Sequence, residues 1–153
     1  MKIAGHIRPA GTWHETAIDR VVLDADERHR RRVMLTGEEG TKFLLDLDRP
    51  TFLRDGDALV LGDGAIIRVV AKPEALVEVS APTAQDRLRI AWHIGNRHTD
   101  VEVIGDKLRI RRDHVLEEML RGFGAELTPI EAPFEPEGGA YAHGHAHSHG
   151  HGA

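Results

Sequence analysis

TAQDRLRIAWHIGNRHTDVEVIGDKLRIRRDHVLEEMLRGFG, residues 83–124, holds two helix-length segments separated by a short apolar hairpin, and that alternation decides the fold. Thr83 is placed to cap the first helix, with Asp86 three residues on reaching back and Leu88, Ala91, Trp92 and Gly95 lining one side. Gly95-Asn96 is expected to end it, because both residues tolerate the left-handed backbone that a helix C-terminus needs. Two strands follow, Val101 to Ile104 and Leu108 to Ile110, around a Gly105-Asp106 turn. Asp113 caps the second helix, Glu117 and Glu118 lie near its positive end, Leu116, Leu120 and Phe123 form its stripe, and Gly124 stops it.

Working outward, Leu76, Val77 and Val79 read as a strand that stops at Pro82, and AELTPIEAPF (125–134) supplies the last strand. The order β-α-β-β-α-β is the split βαβ pattern, two helices covering one face of a four-stranded antiparallel sheet. About 60 residues of this kind bury one modest core, and the open sheet face or an exposed part of a helix is left as a dimer surface.

Upstream, the first 70 or so residues read as β. Short apolar stretches at Ile18 to Leu23, Val33 to Leu35, Phe43 to Leu47, Leu59 to Leu61 and Ile66 to Val70 alternate with turn chemistry at 36–40, 54–57 and 62–64. A small sandwich or barrel is expected, with Asp55-Gly56 and Asp63-Gly64 in tight turns. Asp46, Asp48, Asp55 and Asp57 do not follow the ligand order of a calcium loop and read as turn and surface acids. RHRRR, Arg28 to Arg32, is the one concentrated basic stretch in a chain of formal net charge −5. It lacks the broad basic face and stacking aromatics of a nucleic-acid site and reads as a solvated strand face or a docking patch for an acidic partner.

Downstream, AYAHGHAHSHGHGA places His143, His145, His147, His149 and His151 at every second residue among glycine, alanine and serine. Such a segment has nothing with which to offset the entropy of ordering, so a disordered tail is expected from 138 to 153. Its imidazoles are ligands for nickel, zinc, copper or cobalt. With no cysteine in the chain, metal must be held by nitrogen and oxygen, which disfavours copper(I) and a thiolate zinc site. No apolar run is long enough to cross a membrane and no secretory signal is visible, so the cytoplasm is the expected compartment.

Three internal histidines compete for the role of a fixed ligand. His98 lies just past the expected helix end, presented by a loop or strand start beside Arg97 and Asp100. One imidazole is not a metal site, but a residue near a two-fold axis is delivered twice. His114 follows the cap of the second helix and reads first as a first-turn surface histidine, with a ring available as a ligand, and His93 beside Trp92 reads as a packing residue. No paired acids, activated nucleophile or phosphate loop is present, so the chain does not read as an enzyme. A metal-dependent hydrolase using His98, His114 and Asp113, and a storage or detoxification protein acting through the tail, are the rival readings.

WHIGNRH (92–98), KLRIRRDHVLEEMLRGFGAEL (107–127) and the histidine-rich end together resemble the UreE family of urease accessory proteins, the nickel metallochaperones. GNRH followed at the proper distance by DHVLEEML is the specific part; the likeness is strong across 75–137 and weak across 1–70. The resemblance implies an α+β chain. An all-β domain over 1–73 serves protein interaction, a ferredoxin-like domain over 74–137 dimerises and binds nickel, and the tail over 138–153 adds metal sites. It implies that His98 is an interfacial Ni2+ ligand contributed by both subunits, with Zn2+, Cu2+ or Co2+ competing. It further implies delivery to the urease apoprotein activation complex together with a GTPase accessory protein, with metal-driven association of dimers left open. His114 matches the second histidine of a His-Asp-His stretch, but the first is Arg112 here, and a guanidinium offers no lone pair.

Overall fold

The computed structural model describes residues 1–138, so the tail histidines at 143, 145, 147, 149 and 151 lie outside the described residues. The chain divides into two compact units. One is Met1–Glu74 with Glu131–Phe134; the other is Ala75–Ile130 with the described residues from Glu135.

The first unit is built on a six-stranded mixed sheet. Its strands are β1 (Ile3–Arg8), β2 (Asp19–Leu23), β3 (His29–Thr36), β4 (Lys42–Phe52), β5 (Ala58–Leu61) and β6 (Ile66–Ala71), in the spatial order β2-β6-β5-β1-β4-β3. Pairing is parallel for β1 with β4 and β2 with β6, and antiparallel for β1 with β5, β3 with β4 and β5 with β6. Phe43, Leu45, Leu53, Leu59 and Ile67 are fully buried at its centre. The turn glycines Gly40, Gly56 and Gly64 have φ of 94°, 87° and 88°, the left-handed region that their Asp-Gly and Glu-Gly contexts anticipate.

Strand β1 is absent from the sequence reading. It lies between β5 and β4, yet of its six residues only Ala4 is buried, so no alternating apolar pattern marks it. Its identity as a strand comes from neighbours 40 or more residues away, with Ile3 opposite Leu44 and Arg8 opposite Ala58.

A second correction concerns Arg28, which is not part of a solvated face. The segment Asp24–Glu27 folds into a turn in which the Asp24 side chain accepts from the Glu27 backbone N–H at 2.8 Å and the Glu27 carboxylate accepts from the Asp24 N–H at 2.9 Å. That turn sends Arg28 inward, where it is wholly buried and donates to the carbonyl oxygens of Leu23 (3.2 Å), Leu53 (3.3 Å) and Phe134 (2.6 Å). Arg30, Arg31 and Arg32 do stand exposed on β3, an edge strand, where charge discourages pairing with another sheet. Asp57 is the exception among the turn acids: it is buried, accepting from the backbone N–H groups of Ala10 and Arg54 at 2.9 and 2.8 Å.

The second unit follows the expected β-α-β-β-α-β order. Strands β7 (Pro73–Ser80), β8 (Glu102–Ile104), β9 (Lys107–Arg111) and β10 (Glu126–Pro133) form a sheet ordered β10-β7-β9-β8, with helices α1 (Ala84–Asn96) and α2 (His114–Gly122) in the two crossovers. Val77, Val79 and Ile110 of the sheet meet Ile90 and Ile94 of α1 and Leu116 and Leu120 of α2 in one core. The apolar stripe read from α1 is therefore on the wrong side. Ile90 and Ile94 face inward, while Leu88 and Trp92 are 72% and 62% exposed and Ala91 and Gly95 lie in solvent with them.

The open sheet face is polar and cross-linked. Glu78 receives Lys107 at 3.4 Å and Arg109 at 3.2 Å, and Arg111 pairs with Asp100 at 3.1 Å. Among the two surfaces that the sequence left for dimerisation, the exposed flank of α1 is the apolar one.

Candidate metal site

Both helices begin as their sequences dictate. Thr83 accepts the Asp86 backbone N–H at 3.0 Å, and Asp113 accepts that of Leu116 at 3.0 Å, so each first turn has an orphan donor satisfied. At α2 the closure is reciprocal, because the Glu117 carboxylate accepts the Asp113 backbone N–H at 2.8 Å. Far from lying on the surface, Glu117 is buried and also holds Arg112 through two hydrogen bonds of 3.0 and 3.1 Å. The Arg112 guanidinium, first among several causes, keeps the Glu117 carboxyl below the usual carboxylate range. Arg112 thus clamps the start of α2. His114 is the first residue of that helix and is exposed.

A depressed carboxylate adds stability that is present above its unfolded pKa and disappears as pH falls through the folded one. Glu117→Gln should therefore cost about 1 kcal/mol at neutral pH, discounted for the water around Arg112, and less as the buffer approaches pH 3. Melting curves of the two proteins across that range check this; a constant gap at every pH excludes the linkage.

The two helices also end alike, and here the sequence reading needs correction. Gly95 and Asn96 are helical, not left-handed. Arg97 is the C-cap of α1 at φ −95°, ψ 5°, and Phe123 is the C-cap of α2 at φ −94°, ψ 9°. The next residue in each case has positive φ: His98 at 56° and Gly124 at 84°. Their backbone N–H groups donate to Gly95 and Arg121 carbonyls at 3.0 and 2.9 Å. Where α2 uses glycine, α1 uses histidine, and His98 is the one positive-φ residue other than glycine among the described residues. Histidine is among the side chains that tolerate this region, yet its Cβ crowds the following carbonyl. Strained residues of this kind cluster at ligand-binding and active sites.

The His98 ring makes no hydrogen bond, ion pair or ring contact among the described residues, and the residue is exposed. Both ring nitrogens are open to a ligand. His93, one turn back, is different: its ring stacks on Phe123 with centroids 4.1 Å apart and planes at 22°, and meets the Trp92 ring edge-on at 5.0 Å. That is the packing role expected of it. His29 lies against Phe52 in the first unit, and His6 and His14 are exposed there.

Among the described residues no three His, Asp or Glu side chains converge on a common point. His98, His114 and Asp113 therefore do not form such a group, and a metal held at His98 by three or more of these side chains would need ligands from beyond the described residues of a single chain.

Residues 1–72 match the N-terminal domain of the UreE urease accessory protein family, and residues 74–153 match its C-terminal domain. The urease accessory protein UreE of Beijerinckia indica is 57% identical over 139 residues, covering 91% of this chain and 80% of that protein. The proteins of the same name from Rhodopseudomonas palustris strain HaA2 and Bradyrhizobium sp. strain ORS 278 are 57% and 56% identical over 130 residues. Those matches cover 85% of this chain but 60% and 62% of the relatives, so the chain spans less than two thirds of their length.

Proposed function

The chain belongs to the UreE urease accessory protein family, and we infer from that membership that it is a nickel carrier, not an enzyme, which delivers Ni2+ while the urease metallocentre is assembled. The cargo is seated at His98, and two copies of the chain supply two imidazoles to one ion. Further ligands come from His143, His145, His147, His149 and His151, whose tether raises their local concentration at the seat. His114 contributes little, because the neighbour that would share a metal with it is Arg112, committed to Glu117. Zn2+, Cu2+ and Co2+ compete at the same nitrogens.

The observation that carries this reading is the strained His98, whose ring has no partner among the described residues, at the end of a helix whose outer flank is apolar. Leu88 and Trp92 are large side chains exposed in isolation, and a second copy packing α1 against α1 covers them. Few-ligand imidazole sites also suit a donor, which must take an ion and give it up. The β unit serves partner recognition within the urease activation complex, alongside a GTPase accessory protein. Among the described residues no helix is long and apolar enough to cross a membrane, and the carrier works in the cytoplasm.

Calorimetric nickel titration of the intact protein, of His98→Ala and of a form ending at Glu137, each with its mass measured, tests the reading. His98→Ala should lose the tightest event and keep the weaker ones. The truncation should lower stoichiometry by two or more ions per dimer while leaving melting of the metal-free protein within about 1 °C, as the glycine-, alanine- and histidine-rich composition of the removed segment implies. A truncation that removes the tightest event while His98→Ala preserves it moves the seat to the tail. A strictly monomeric mass removes the paired seat.

A further inference from the structure

The His98 ring has no partner among the described residues, so its direction is set by its own backbone and by whatever holds that turn in place. Two contacts join the end of α1 to the end of α2. His93 stacks on Phe123, with centroids 4.1 Å apart, and Arg97 Nη1 donates to the Met119 sulfur at 3.8 Å. Phe123 has no other evident reason to be aromatic. It is the C-cap of α2, it is 36% exposed, and the core contacts of that helix are made by Leu116 and Leu120. Its ring is spent on the last turn of the neighbouring helix, five residues before His98.

We propose that Phe123 is a positioning residue for the nickel seat: through its stack on His93 it fixes the end of α1 and so holds the strained His98 turn in the orientation that presents the imidazole. The proposal rests on the reading of His98 as the seat. The sulfur contact at Arg97 is too long to hold the turn by itself, whereas an aromatic pair in stacked geometry resists both sliding and rotation of the helix end. Without the ring, the last turn of α1 is free to fray, and a left-handed residue is the first to relax when it does.

The test uses the full chain and four variants: Phe123→Ala, Phe123→Leu, Phe123→Tyr and His98→Ala. Two readouts are taken, the NMR signals and relaxation of the His98 ring in metal-free protein, and the nickel isotherm. Phe123→Ala should broaden or shift the His98 ring signals and weaken the tightest nickel event by roughly three- to tenfold, the equivalent of one aromatic pair. Phe123→Leu, which keeps apolar bulk, should behave like alanine, and Phe123→Tyr, which keeps the stack, should restore both readouts. If the His98 signals are unchanged in Phe123→Ala, or if leucine restores them as well as tyrosine, the positioning role is overturned. If the ring signals move but His98→Ala leaves the tightest nickel event intact, positioning stands and the assignment of the seat is what fails.

Discussion

Replacing His98 by glycine should abolish the tightest nickel-binding event and at the same time raise the melting midpoint of the metal-free protein. The loss follows from removing the fixed imidazole that each copy of the chain supplies to the seat. The gain follows from the backbone, since His98 sits at φ 56° in the position that α2 fills with Gly124. An L-residue there costs roughly 1–2 kcal/mol against glycine, from which the extra chain entropy of an unfolded glycine takes back about 0.4–1. A net gain of about 0.5–1 kcal/mol corresponds to about 1–4 °C for a chain of this size. His98→Ala loses nickel equally but keeps a Cβ, so it should show no such gain. Because the residue is exposed and its ring makes no hydrogen bond, ion pair or ring contact among the described residues, little packing loss offsets the relief. Differential scanning calorimetry of the three metal-free proteins decides the matter. A glycine variant that melts below the parent would show that the imidazole stabilises the fold, and the argument from strain to function would fall with it.

The second large effect is expected at Arg28. Arg28→Ala removes the guanidinium from the carbonyl oxygens of Leu23, Leu53 and Phe134, of which Leu23 keeps the Lys72 backbone N–H at 2.8 Å, and opens a cavity where a full side chain was buried. Buried carbonyls left short of a donor cost about 1–3 kcal/mol each and the truncated side chain adds a cavity cost, about 3–5 kcal/mol together and on the order of a 10 °C fall in melting temperature. Lysine should rescue little, because a single ammonium does not span three carbonyls that a planar guanidinium reaches at once. The Phe52 ring, 4.9 Å from the guanidinium carbon, adds a cation–π contact that lysine would also weaken. Arg30→Ala, from the same basic run but exposed, should change stability by no more than about 0.5 kcal/mol. Thermal melts of the three proteins test this, and an Arg28→Ala protein as stable as Arg30→Ala would mean that Arg28 is solvated after all.

These two residues also show where reading along the chain succeeds and where it stops. Local chemistry determined the second unit almost completely: Thr83 and Asp113 cap their helices, Gly105 and Gly124 turn the chain at positive φ, and the strands fall between them. These are interactions within four residues, so the sequence contains both partners side by side. The sequence also singles out His98, from its place after a helix end and from the GNRH and DHVL segments taken together, and the structure puts it at a left-handed turn just past α1.

Tertiary structure decided everything that depends on which side of an element meets the core. The apolar residues of α1 make two candidate stripes, Ile90-Ile94 and Leu88-Ala91-Trp92, and helical period alone does not choose between them; the sheet beneath Ile90 and Ile94 does. Strand β1, with one buried residue, exists because β4 and β5 pair with it from either side. Arg28 reads as one of four arginines in the five-residue run RHRRR, and only a turn closed by Asp24 and Glu27 sends it inward while its neighbours stay in water. The left-handed backbone at His98 belongs to this class as well. Gly95 and Asn96 are the residues that local propensity selects for that conformation, but the helix continues through both and the turn falls on His98 instead. Propensity ranks residues by their own preference, about 1 kcal/mol between candidates, and burying Ile90 and Ile94 on the sheet outweighs it.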